Sequence, residues 1–183
     1  MQISDGEKLI IGMLCAIYKK LGIKDDIDPE FVEKALWGGH YWAIEDEISS
    51  LLHDEDRPDH VKEVREILTM WRELKESIDA LSPGDRKRVE VDAAPIGADP
   101  KFRGFDGNNE SAHLSISRFM IEEMGMFEEF RGIDLDSHTY TLENYRRMLA
   151  AYNSLWPGRV FGNLDADQIT KVLTAPMRDA RQR

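Results

Sequence analysis

Cysteine is nearly missing from this chain, with Cys15 alone among 183 residues. One thiol forms no internal disulfide and cannot build a cysteine-based zinc site. Positive charge is also short: 24 Lys and Arg stand against 35 Asp and Glu, a formal net charge of −11. That balance opposes a general affinity for phosphate backbones or anionic lipid, so no nucleic-acid partner is expected. Long apolar runs are lacking too. Leu9 to Tyr18 covers ten residues, about half of what a bilayer-crossing helix needs. The opening residues carry Asp5 and Glu7 beside Lys8, unlike the basic start of a signal peptide. The expectation is a cytoplasmic protein with no membrane partner. No glycine-rich phosphate loop, nucleophile elbow or zincin helix occurs either. The residues therefore assign no catalytic group, no cofactor and no metal.

What the chain has is helical periodicity. Ser4 and Glu7 have capping-box spacing, and Leu9, Ile10, Met13, Leu14, Ile17 and Leu21 then share one helical face up to Gly22. Asp28-Pro29 starts a second helix, which Gly38-Gly39 breaks or kinks. Tyr41, Ile44, Ile48, Leu51 and Leu52 continue the pattern. Pro58 opens the longest helix, lined by Val61, Val64, Leu68, Trp71, Leu74, Ile78 and Leu81. Arg86-Lys87-Arg88 fits a short helical turn. From Asp92 to Asn109 no period is legible, and eighteen residues without one predict a functional or poorly ordered loop. Helical spacing returns at Ala112, Ile116, Phe119 and Met120, and again from Thr141 through Leu142, Tyr145, Leu149, Tyr152 and Trp156. The last helix begins at Asp165, where Gln168 completes a capping box, and Pro176 is expected to close it before a flexible tail over 176–183.

The expectation is an all-α fold: a single compact domain over 1–183, its core about 3–175, with about seven helices and a long irregular loop around 92–109. Residues 1–81 hold 10 basic and 19 acidic side chains against 14 and 16 in 82–183. Because both halves share one core pattern, this reads as a polarised surface rather than a domain boundary.

Phe102-Arg103-Gly104-Phe105-Asp106-Gly107-Asn108-Asn109-Glu110, then Arg118-Phe119-Met120 and Tyr145-Arg146-Arg147-Met148-Leu149, resemble the YfbU family of bacterial proteins. Leu164 to Ile169 and Glu7 to Ile10 are similar to that family's last helix and its start, so the resemblance spans about residues 3–175. It implies a helical fold and a cytoplasmic location. It lends no catalytic residues.

The family-like loop and the helix start after it give the candidate binding residues: Asp106, Asn108, Asn109, Glu110 and His113. A run of polar side chains closing a long loop suits a small ligand or a partner. The plainer reading is that Gly107 takes a positive φ, Asn108 or Asn109 caps the next helix, and Glu110 sits in its first turn. Glu110 and His113 have the spacing of a di-iron ligand pair, but no second Glu-x-x-His accompanies them. Counted as a calcium loop from Asp106, the glycine and glutamate positions fall on Ser111 and Ser117. Arg86 to Arg88 with Arg103 read as a solvated basic cluster. His53 and His60 share no continuous face, and Cys15 reads as a small buried hydrophobe. Trp37, Tyr41 and Trp42 beside Gly38-Gly39 suggest an aromatic patch for self-association.

Two functions remain open. One is a non-catalytic, self-associating binding or regulatory module, a homo-oligomer with a protein or small-molecule partner. The alternative is an enzyme or metal-assisted hydrolase with its site near 104–113.

Overall fold

A computed structural model describes residues 3–23, 27–47, 59–155 and 162–178. Among them are eight α-helices, one more than the periodicity suggests, and no strand. None of these helices is long and apolar enough to cross a membrane. Leu51, Leu52, His53, Pro58, Trp156 and the tail beyond Arg178 lie outside the described residues.

The chain falls into two compact units, Met1–Lys62 and Glu63–Arg183, with the boundary in the first turn of the longest helix. The first unit contains α1 (Asp5–Leu21), α2 (Pro29–Gly38) and α3 (Tyr41–Glu47). Local chemistry sets its helix ends. Ser4 and Glu7 form the capping box, Asp28 accepts from the Glu30 amide, and Gly22 and Gly39 stop their helices in the left-handed region. α1 packs on α2 through the side that carries buried Cys15, and burial raises the thiol's pKa. The periodic stripe lies on the other side. Leu9, Ile10, Met13, Leu14, Ile17 and Leu21 are each half or more exposed.

The second unit holds most of α4 (Asp59–Ala80), with α5 (Pro83–Asp92), α6 (Ser111–Arg118), α7 (Leu142–Asn153) and α8 (Ala166–Arg178). α4 is buried on several sides: Val64, Ile67, Leu68, Met70, Trp71 and Leu74 are all at or near zero exposure. Its length demands that support, because a helix polar on most of its surface would gain too little from packing. α7 packs on α8, and α8 on α5.

Two local expectations need correction. Arg86-Lys87-Arg88 sits in a ten-residue helix rather than a short turn, capped by the Ser82 hydroxyl with Pro83 in the first turn. α8 runs through Pro176 to Arg178; so close to a helix end, proline removes one hydrogen bond without breaking a long run. The stretch 92–109 is the long irregular segment expected, and it is packed. It contains a 3₁₀ turn at Ile96–Ala98 and buries Phe102 and Phe105. Those two rings join Phe130, Tyr145 and Trp71 in a cluster of tilted and edge-on contacts, centroids 5.3–5.8 Å apart. A segment without period can still be core when its apolar residues converge on one place.

Candidate functional site

The family-like segment enters the core at Gly104. Its φ is +78°, and a Cβ there would sit 1.9 Å from the Leu135 carbonyl oxygen. This close approach lets the Phe105 amide donate to Leu135 O (2.9 Å), while the Ser137 amide donates to Phe105 O (3.1 Å). Gly107 is also held by proximity rather than by a positive φ, correcting the sequence reading. A Cβ would lie 2.4 Å from Asp136 Oδ2, and the Gly107 amide donates to Asp136 Oδ1 at 3.0 Å. Amides donated by His138 and then Gly107 keep the Asp136 carboxyl below its usual range.

Asp106 is buried and accepts from the Asn108 amide (3.1 Å) and the Asn109 side-chain amide. The asparagines themselves are exposed. Neither caps α6, whose first residue follows Glu110 with no side-chain cap. Asn109 is instead spent on Asp106.

Glu110 does not serve the helix it precedes. It is buried, 6% exposed, and reaches across to α7. Its Oε1 accepts the amides of Thr141 (3.0 Å) and Leu142 (2.8 Å), and its Oε2 accepts the Asp106 amide (2.9 Å). The Thr141 hydroxyl lies within reach of Glu110 Oε2 (3.0 Å) and Gly104 O (2.8 Å). One carboxylate thus satisfies the loop and the N-terminus of α7, where a negative charge is favoured.

His113, also buried, faces Glu63 on α4, with Nε2 2.8 Å from Oε2. Arg146 on α7 grips the same carboxylate with two donors, Nε at 2.6 Å and a terminal nitrogen at 3.0 Å. The Arg146 guanidinium, helped by His113, keeps Glu63 below the usual carboxylate range, while partial burial pulls the other way. This triad ties α4, α6 and α7 together. A cation held by Glu63 and His113 would compete with the guanidinium for the same oxygens, so the donor set suits an ion pair better than a metal.

The five candidate residues therefore separate into three buried groups in internal hydrogen bonds and two exposed asparagines. Glu110 and His113 turn to different partners, which removes the di-iron geometry the spacing allowed. The arginines of the basic cluster are paired as well: Arg86 with Asp79, Arg88 with Asp167, and Arg103 with Asp99. Sequence reasoning missed Thr141, Glu63 and Arg146. Their roles depend on partners 31 to 83 positions away, and only the motif residue Arg146 carried any prior signal.

The YfbU domain profile matches residues 1–175. UPF0304 protein MJECS11 of Methanocaldococcus jannaschii is 27% identical over 174 residues, covering 92% of this chain and 97% of that protein. Both matches run the length of the two units, and neither brings a reaction with it.

Proposed function

The chain belongs to the YfbU family, and from that premise we propose that it is a non-catalytic binding module that works as a self-associated assembly. The observation that carries this reading is the uncovered apolar side of α1. Its six large side chains expose between 50% and 68% of their surfaces. Trp37 of α2, 64% exposed, lays its ring against Gly12 on the packed side of α1, 3.2 Å from where a Cβ would sit, so it stands apart from this stripe. Trp42 is buried and Tyr41 half-buried, so the interface shifts from the Gly38-Gly39 aromatics to α1 itself.

These six side chains offer roughly 600 Å² of apolar surface, most of one partner's share of a standard interface at about 800 Å². Monomers rarely leave that much apolar surface contiguous and uncovered. A second copy of the chain is the fitting occupant, because an isologous pairing covers the same patch on both partners at once. An anionic lipid surface fits poorly with a net charge of −11.

The alternative, an enzyme centred on 104–113, would need an acid or base free to meet a substrate. The many donors on Glu110 and the two partners on Glu63 favour a structural role for both carboxylates. The test is light scattering or sedimentation on the full chain and on a Leu14→Asp, Ile17→Asp variant. Dimers or larger assemblies at tens of micromolar, dissociated by the variant with its helix content intact, are expected; this is an ordinary range for micromolar association. A strictly monomeric wild type refutes the reading.

A further inference from the structure

The second unit contains a cleft of about 410 Å³ walled by α4, α5, the segment after the 3₁₀ turn and the residues around Phe130. That volume lies toward the lower end of the range of small-molecule pockets. We propose that this cleft binds an uncharged small molecule built on an aromatic or alicyclic ring. The site is separate from self-association, since no residue of α1 or α2 lines it.

The charged side chains of the wall are engaged with one another. Lys75 and Arg86 both pair with Asp79, at 2.9 and 3.0 Å, and Lys101 pairs with Asp99 at 2.7 Å. No cation of the lining is therefore left over for an anionic ligand. Two of the carboxylates are also met from outside the lining, Asp99 by Arg103 (3.4 Å) and Glu129 by Arg72 (3.9 Å). Glu90 is exposed, where water and salt screen it. With its cations held and its carboxylates met or screened, the wall has no charge that calls for a counter-ion. An ionic ligand would have to displace a partner or give up its hydration for little return. An uncharged molecule incurs neither cost.

What the wall offers is apolar and already in place. Ile78, Val89, Phe102 and Phe130 contribute to it, with Ile133 40% exposed. Phe102 stands 5.3 Å from Phe130 and 5.5 Å from Tyr145, so the ring cluster fixes this wall before any ligand arrives. The 3₁₀ turn is likewise pressed onto α5: a Cβ on Gly97 would lie 2.4 Å from the Val89 carbonyl oxygen. A ring seated against such a wall removes apolar surface from water without reordering the protein. Selection is therefore by shape and apolarity, against either sign of charge.

The test titrates the full chain with phenethyl alcohol, phenylacetate and phenethylamine, which share an aromatic skeleton and differ in charge, followed by chemical-shift changes. The alcohol should saturate with a Kd of about 1 mM, ordinary for so small a molecule, and the Trp71 indole in the wall should report it. Each ion should bind at least about fivefold more weakly. Ala98→Phe and Ile133→Trp add bulk to the cleft from exposed positions, and either should weaken the alcohol several-fold with little change in melting temperature. No saturation by about 10 mM alcohol overturns the proposal. An ion that binds as tightly as the alcohol, or undiminished binding by both variants, overturns it as well. Because the α1 variant changes no residue of this cleft, loss of self-association and loss of ligand binding are read separately.

Discussion

Replacing Glu110 by Ala should be among the most damaging single changes in the second unit. The carboxylate accepts three backbone amides at 2.8–3.0 Å and lies 3.0 Å from the Thr141 hydroxyl. Glu110 and Thr141 are both more than nine-tenths buried. A hydrogen bond to a charged group contributes about 1.5–3 kcal/mol, and an orphaned buried donor costs about 1–3 kcal/mol. The Thr141 hydroxyl can turn to Gly104 O, and water entering the emptied volume would recover part of the remainder. The expected net loss is roughly 3–5 kcal/mol, a large share of a typical total of about 5–15 kcal/mol. Glu110→Gln should cost about 2–3 kcal/mol, because its carbonyl still accepts while its NH2 opposes one of the donors. Urea denaturation followed by circular dichroism measures both, with the midpoint shifting at unchanged slope. A double-mutant cycle with Thr141→Val should show coupling above about 0.5 kcal/mol. An Ala variant within about 1 kcal/mol of wild type, the range of an ordinary surface change, would show that the clasp is not what holds the loop to α7.

Gly104→Ala should destabilise by about 3 kcal/mol or more, since it meets a positive φ and the Leu135 carbonyl together. Gly107→Ala should cost less, because the atom in its way belongs to the Asp136 side chain, which can turn; equal losses in thermal melts would contradict this ranking. The Glu63–Arg146 pair makes stability depend on pH in one direction. Because the folded-state pKa of Glu63 is depressed from its ordinary 4.5, its contribution is present in full above that value and lost as pH falls through the lowered one. Arg146→Met should therefore lower the melting temperature at pH 7, and the gap from wild type should close in acid. A gap independent of pH would mean that the arginine acts through packing alone.

Where physics is local, the sequence by itself determined the structure. The Ser4–Glu7 box, the Asp28–Pro29 start, the Gly22 stop and the Asp165–Gln168 box all form within four residues, so spacing alone reveals them. The apolar spacing of α4 marks a helix, and Trp71 is buried as its stripe requires. Spacing on α1 marks a helix with equal clarity, yet its stripe faces outward. Periodicity reports that a face is apolar and says nothing of what covers it. The segment 92–109 shows the complementary limit: with no period of its own, it supplies Phe102 and Phe105 to the aromatic core. Only the tertiary fold brings Leu135 against Gly104, Asp136 against Gly107, and Thr141 against Glu110. A glutamate at a helix start can serve that helix or another, and the choice depends on which unsatisfied amides packing carries within 3 Å of it.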